Sequence, residues 1–342
     1  MTSRQPLFEE VCSTDFLQFR FGGRGYRDQL NESIAKTGAL AGVKVEVIKS
    51  EAGEIVWVAH DFGFLGGSLG CAEGEKITRA FEYALAHSLP VCVQCRSGGA
   101  RMQEGTSSLM QMAKVSVAVN ALRTASLPFI AVLNDPTYGG VSASYAMQAD
   151  VRIAVENARI GFAGPQVILN TMCDADQSIF DAKCPPDFQS ASYVHQYGQL
   201  DVVLSGEQCK QEYLENYVSS LTSLLMRNKK GTENTTPSLQ SSSSSLTVPE
   251  EDTSAPFNYT RSRLIDRPQT QDFISSLFTD FVELSGDGRM GKDCCIRGGV
   301  ASFSGRSCVV LGTFKGHTPT TMQEANYGMA SPHGYRTALR NL

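Results

Sequence analysis

Apolar and polar or small residues alternate from 43 to 48 and again from 55 to 60, with Ser50-Glu-Ala-Gly53 between them. This pattern predicts a strand, a turn and a second strand. Phe62-Gly-Phe-Leu-Gly-Gly-Ser-Leu-Gly70 follows, a loop whose glycines allow close approach to a ligand. Ile77, Ala80, Phe81, Ala84 and Leu85 then recur at helical spacing, predicting an amphipathic helix over 73–87 that ends ahead of Pro90. A strand is expected over 91–95, a helix through Leu109, Ala113, Val117 and Ala121, a strand over 129–133, a short helix, and a strand over 151–155. Strands that alternate with helices and are apolar on both faces indicate βαβ crossovers and a largely parallel sheet, so the fold class is α/β.

Beyond Arg227 the composition changes. The stretch 228–258, with serine at every position from 241 to 245, holds almost nothing that could be buried and cannot offset its ordering entropy. It is expected to be a flexible linker between a first domain over 12–227 and a second over 259–342. In the second, Phe273, Ile274, Leu277, Phe278 and Phe281 predict a helix over 273–284. Residues 299–303 and 307–313 predict a strand pair turned at Ser304-Gly-Arg306, and a glycine-rich polar loop over 315–334 leads to a helix start at Tyr335. This order repeats the opening of the first unit and stops before a counterpart of the 91–95 strand, so the second unit is expected to be incomplete.

Composition narrows the function classes. The chain has 342 residues, 42% hydrophobic and 19% charged, with a formal net charge of -5. Such a length suggests two domains, and a mildly acidic balance argues against a nucleic-acid or anionic-membrane partner. No apolar run approaches the ~18 residues of a membrane span. The segment Met1-Thr-Ser-Arg-Gln-Pro-Leu-Phe-Glu-Glu10 has no signal or transit character, so a cytoplasmic location is expected. Ten scattered cysteines then predict free thiols. Cys92 and Cys95 form a CxxC inside an apolar strand, without a second CxxC or a nearby histidine, and no metal site is expected. His60, His87, His195, His317 and His333 show no ligand pair and are assigned neither as ligands nor as bases. There is no GxSxG elbow and no P-loop.

The candidate chemistry lies in Arg96-Ser-Gly-Gly-Ala-Arg-Met-Gln-Glu104 and Asn134-Asp-Pro-Thr-Tyr-Gly-Gly-Val-Ser-Ala-Ser144. Each is expected to place a glycine turn between an apolar strand and a helix. Helix starts carry unpaired N–H groups and a positive dipole end, so two such turns can hold a negative oxygen without an ionising side chain. Gly98, Gly99, Ala100, Gly139 and Gly140 are the candidates for this oxyanion hole, with glycine required where a side chain would fill the space a substrate must occupy.

These two segments match almost letter for letter the core of the beta subunit of the bacterial and plastid-type acetyl-CoA carboxylase carboxyltransferase, of the crotonase-like superfamily, which residues 12–227 as a whole strongly resemble. Residues 262–342 resemble the opening of its alpha subunit, through Arg267-Pro-Gln269, Phe281-Val-Glu-Leu-Ser-Gly-Asp287, Gly298-Gly-Val-Ala301, Lys315-Gly316 and Gly328-Met-Ala-Ser-Pro-His-Gly-Tyr-Arg336. The resemblance implies a crotonase-like spiral of ββα units with a second, incomplete unit. It also implies transfer of carboxylate from carboxybiotin to acetyl-CoA, giving malonyl-CoA. Propionyl-CoA stays open, since one methylene is worth only ~1 to 3 kcal/mol of discrimination. A biotin carboxyl carrier protein, a biotin carboxylase and an alpha-type subunit are the implied partners, within an oligomer. Gly66, Gly67 and Ser68 would border the path of CoA or biotin. A CoA phosphate needs cations, and Arg101 and Arg123 lie nearest the turns; each also reads as a solvated helix residue.

Two departures from the family stand out. Gln166 occupies a position where members usually carry Arg, and only Cys12 lies where bacterial beta subunits have a four-cysteine zinc ribbon, so that module is expected to be missing. The same oxyanion hole would also serve a biotin-independent acyl-CoA decarboxylase of the superfamily. A non-catalytic CoA-binding subunit is the alternative from another class.

Overall fold

The computed structural model describes residues 3–50, 53–230, 255–262, 264 and 267–342; most of the expected 228–258 linker lies outside them. Two compact units emerge, Met1–Met226 with Leu284–Lys292, and Arg227–Glu283 with Asp293–Leu342. The stretch 284–292, placed by its sequence in the second domain, is thus part of the first unit.

The first unit opens with strand β1 (Ser3–Leu7), a minimal hairpin of β2 (Arg20–Phe21) and β3 (Arg24–Gly25), and helix α1 (Tyr26–Thr37). The alternating segments form β4 (Val43–Ser50) and β5 (Gly53–His60), an antiparallel hairpin in register from Val43 opposite His60 to Ser50 opposite Gly53. Helix α2 (Cys71–His87), β6 (Val91–Ser97), α3 (Gly105–Thr124), β7 (Phe129–Tyr138), α4 (Gly139–Ser142), β8 (Val151–Val155) and β9 (Ile160–Gly161) follow. Short helices α5 (Pro165–Met172), α6 (Gln177–Lys183) and α7 (Ala191–Gln196), strand β10 (Val202–Leu204) and the long α8 (Gln211–Lys230) complete the run.

The main sheet has the order β1-β4-β5-β6-β7-β8-β10, with β9 added beside β7. From β5 onward every pairing is parallel. Alternation explains the core: Val91, Val93 and Cys95 of β6 join Phe129, Ala131 and Leu133 of β7 in one cluster with Ile77, Ala80, Phe81 and Ala84 of α2. Phe81 meets Phe129 edge to face at 5.0 Å. Burying each such aliphatic or aromatic side chain contributes roughly 1.5–3 kcal/mol, which fixes the strand ends that carry the turns. Helix α3 buries Val115, Ala118, Val119 and Leu122, whereas Leu109 and Val117 of the expected stripe are 49% and 71% exposed. Positions spaced strictly by four drift around a helix; alternating steps of three and four stay on one face.

The second unit contains α9 (Ala255–Ser262), α10 (Thr270–Leu277), β11 (Thr279–Glu283), β12 (Ile296–Phe303), β13 (Arg306–Thr313), α11 (Pro319–Glu324) and α12 (Pro332–Asn341). The expected helix over 273–284 is therefore two elements. It ends at Leu277, and Phe281 lies on β11, which pairs antiparallel with β12 across a register shift between Thr279 and Val282. Asp280 takes φ +55° there. Strand pairing by β-prone Phe281 and Val282 overrides a helical spacing that the apolar residues also satisfy.

Candidate functional site

The parallel pairing of β6 with β7 brings Ser97 opposite Thr137, so the two glycine turns emerge from the C-terminal ends of adjacent strands. This is where α/β sheets place ligands. The two backbones touch. A Cβ on Gly139, at φ +58°, would lie 2.9 Å from the Gly99 Cα, and one on Gly99, at φ +116°, 3.3 Å from the Gly139 Cα. One on Gly140 would lie 3.3 Å from the Ala100 Cβ and 3.4 Å from the Ala100 nitrogen.

Only the second turn opens a helix directly. After Gly98 and Gly99 the chain passes through a single helical turn at Met102–Glu104 before α3 begins at Gly105, so the first turn owes its geometry to a neighbouring loop. Leu69 donates its N–H to the Gly99 carbonyl at 2.8 Å, and Arg101 donates to the Leu69 carbonyl at 2.9 Å. With both flanking peptides tied to Leu69, the Ala100 N–H points away from that segment.

An accounting of donors divides the five candidates. Gly98 donates to the Gly66 carbonyl at 3.0 Å and Gly139 to the Phe162 carbonyl at 2.8 Å. Gly99 donates to Ser97 Oγ at 3.1 Å. The N–H groups of Ala100 and Gly140 have no hydrogen-bond partner among the described residues, and they lie on the two backbones that meet across the turns. Gly140 is in the first turn of α4, where helix geometry leaves N–H groups without internal acceptors. Ser144 Oγ donates to the Gly140 carbonyl at 2.5 Å and Ser142 Oγ to the Gly161 carbonyl at 2.6 Å, which holds this turn in place.

Gly66, Gly67 and Ser68 brace the first turn. A Cβ on Gly67 would fall 2.1 Å from the Arg96 carbonyl oxygen, so only glycine lets the loop lie on the end of β6. His60, buried beneath, has Nδ1 3.1 Å from the Gly67 carbonyl and Nε2 2.7 Å from the Tyr145 hydroxyl. A carbonyl can only accept, so Nδ1 carries the proton and the neutral ring accepts from Tyr145 at Nε2. Burial pushes the His60 pKa down, in keeping with that state. Through Tyr145 it ties the Gly67 loop to the segment after α4.

Arg101 is not the solvated helix residue its sequence suggested, nor is its guanidinium free to meet a phosphate. Its side chain is fully buried, with Nη2 2.7 Å from Glu73 and Nη1 3.2 Å from Glu104. It also donates to Ser13 Oγ, Tyr26 OH, Ser68 Oγ and the Ser68 carbonyl. Two carboxylates face one guanidinium, and backbone N–H groups balance the excess. Glu73 accepts from Gly42 at 2.6 Å and Gly70 at 3.2 Å, and Glu104 from Cys71 at 2.6 Å and from the Tyr26 hydroxyl at 2.6 Å. Burial pushes the Tyr26 pKa up, opposed by Arg101 and reinforced by Glu104. Arg123, by contrast, is an exposed residue at the end of α3. Gln166 lies in the first turn of α5, exposed, with its amide reaching Asn170.

Cys92 and Cys95 are buried free thiols whose pKa values are raised by burial. Among the described residues, no group of three or more His, Cys, Asp or Glu could hold a metal ion, and no helix is long and apolar enough to cross a membrane.

Residues 27–274 match the model of the carboxyl transferase domain, and residues 208–342 that of the acetyl co-enzyme A carboxylase carboxyltransferase-like family. The chain belongs to the carboxyl transferase family. The acetyl-coenzyme A carboxylase carboxyl transferase subunits beta/alpha of Salinispora tropica is 41% identical over 345 residues, covering 99% of this chain and 57% of that protein. The corresponding subunit beta of Citrifermentans bemidjiense is 41% identical over 217 residues, covering 64% of this chain and 72% of the relative. This carboxyl transferase chain thus spans little more than half of the beta/alpha relative, and the match to the separate beta subunit covers about two thirds of it. The crystal structure of transcarboxylase 12S superposes with a TM-score of 0.63 at 21% identity, covering 89% of this chain and 53% of that one. The fold is accordingly the crotonase-like one that the resemblance implied.

Proposed function

We propose that this chain takes part in biotin-dependent carboxyl transfer, moving carboxylate from carboxybiotin to acetyl-CoA to form malonyl-CoA. The observation that carries this is the pair of unpartnered N–H groups on Ala100 and Gly140, at the ends of adjacent parallel strands in a member of the carboxyl transferase family. A thioester reacts at its α-carbon only when the charge developing on its oxygen is stabilised. Two fixed backbone donors supply that stabilisation without an ionising side chain. In this reading Gly98, Gly99 and Gly139 let the two backbones approach, the loop at Gly66, Gly67 and Ser68 borders the substrate path, and Arg101 positions the first turn instead of binding substrate. Carboxybiotin, arriving on a carrier protein, supplies the carboxyl group. A biotin carboxylase and the alpha-type half of the enzyme are the further partners this reading requires, and ten unpaired cysteines fit a reducing cytoplasm.

The test is Gly140→Val, assayed for malonyl-CoA formation with the partner subunits supplied. The valine side chain would lie over the Ala100 nitrogen and the Met112 sulfur, which a Cβ on Gly140 already approaches to 3.4 and 3.2 Å. Losing one oxyanion donor costs about 2.7–4 kcal/mol, so turnover should fall by roughly a hundredfold or more. Near-normal turnover would remove the turn from the mechanism.

A further inference from the structure

Lys76, in the middle of α2, is only 6% exposed, yet its ammonium makes no hydrogen bond or ion pair with any described residue. The residue is buried but its Nζ is not sealed from solvent, so this unpaired donor is open to an anion in place of water. Burial lowers its pKa, three carboxylates oppose that, and none of them closes on it. Glu73 is held by Arg101 at 2.7 Å, Glu10 is paired with Arg79 at 3.3 Å, and Glu9 is exposed.

Lys76 lines a cavity of about 840 Å³ in the first unit, together with Arg96, Phe62, Lys44, Asp61 and Glu9. Arg96 lies over the Phe62 ring, 5.0 Å from its centroid, and spends only its Nε on the Asp135 carbonyl at 2.7 Å. Its terminal nitrogens have no hydrogen-bond partner among the described residues. Asp61 accepts the Gly63 N–H at 2.8 Å, and Lys44 is paired with Glu46 at 2.6 Å. The cavity therefore offers two sets of unused cationic donors, one at the end of a buried lysine stem and one on an exposed arginine held against an aromatic ring, and its volume suits a small-molecule ligand.

We propose that this cavity is an anion site in which Lys76 and Arg96 hold a phosphate group. Two sources carry that chemistry: the nucleotide end of an acyl-CoA and free phosphate. Identification with CoA rests on the carboxyl transferase reading; the phosphate site itself does not.

The experiment uses the purified chain and Lys76→Met, which keeps the aliphatic stem. Because no described residue pairs the charge and methionine keeps the buried stem, the variant should be about as stable as the wild type in phosphate-free buffer, so misfolding would be visible at once. Millimolar inorganic phosphate should raise the wild-type thermal midpoint above that in chloride of matched ionic strength, and should not raise that of the variant. If CoA is the source, its Kd should weaken by on the order of tenfold or more in Lys76→Met, as expected for charge-assisted contacts, while pantetheine binding stays unchanged. An unchanged CoA Kd with loss of the phosphate response would assign the site to free phosphate. A wild-type midpoint indifferent to phosphate, or an equal phosphate response in the variant, would overturn the proposal. None of these outcomes depends on turnover, so failure here is separable from failure of the Gly140→Val test.

Discussion

Beneath the first glycine turn, a single guanidinium shares the interior with two carboxylates, and the turn inherits its rigidity from them. Arg101 directly follows Ala100, so any shift of its side chain moves the peptide that presents the Ala100 N–H. Arg101→Met would leave Glu73 and Glu104 buried and facing each other. Breaking a buried pair in this way should cost about 3–5 kcal/mol, measured by denaturant unfolding. An unchanged midpoint would show that the backbone donors alone hold the carboxylates. His60 makes a pH prediction. Its folded pKa is lowered by burial, so its stabilising contribution is complete above the unfolded value of about 6.5 and is lost as pH falls below it. The slope tends toward about 1.4 kcal/mol per pH unit. The gap in thermal midpoint between wild type and His60→Gln should therefore narrow from pH 7 to pH 5; a constant gap would contradict a neutral, buried ring. Neither site was visible in the sequence. Ser13 and Arg101 are 88 positions apart, and His60 and Tyr145 are 85 apart. No local spacing records such contacts.

At the scale of elements, legibility followed how many structures a pattern could satisfy. The 43–60 hairpin was legible because two β-branched runs flank the turn at Ser50-Glu-Ala-Gly53, although both strands bury both faces, and α2 because Ile77, Ala80, Phe81 and Ala84 keep to one stripe. The segment 273–284 was not, since its phenylalanines fit a helix and a strand equally, and pairing with β12 decided. Helix α11 was missed although Thr318-Pro319 carries a start signal: Thr318 Oγ accepts the Thr321 N–H at 3.2 Å, with proline at the first helical position. The glycine turns were legible as turns, but the donors could be told apart only once their acceptors were in place. The pairing that decides β11 is itself testable. A Cβ on Gly299 would fall 2.1 Å from the Val282 carbonyl oxygen, so Gly299→Ala should unseat β11 from β12. We expect a loss of about 1–3 kcal/mol, with amide exchange quickened at Val282 and Glu283. Exchange unaltered at those two residues would mean that the strands tolerate the side chain by sliding.

For the molecule as a whole, the division into units does not follow the chain. The polypeptide enters the second unit after Met226, returns to the first for Leu284–Lys292, and leaves again at Asp293. That returning segment is built into the first unit by backbone contacts that only glycine permits. Gly288 donates to the Gly198 carbonyl at 3.0 Å, and Arg152 Nη1 donates to the Gly288 carbonyl at 3.0 Å. Arg152 is also 3.6 Å from Asp201, both side chains almost wholly buried, so the segment helps to complete a charged cluster at the β8–β10 side of the sheet. Gly198 has φ +71°, and a Cβ there would lie 2.3 Å from the Gly291 carbonyl oxygen. Gly198→Ala therefore carries both backbone strain and a clash that no rotamer can relieve, and the segment must move away. The first unit should lose about 1–3 kcal/mol, and the 284–292 stretch should become the earliest site of proteolytic cleavage among the described residues. The glycine turns sit at the far ends of β6 and β7, tied to Leu69 and Phe162, so the Ala100 and Gly140 donors should keep their places. Turnover per folded molecule should then remain near that of the wild type while the unfolding midpoint falls. A matching fall in turnover would show that the returning segment reaches the proposed oxyanion site through the sheet, and would join two regions that the hydrogen bonds keep separate.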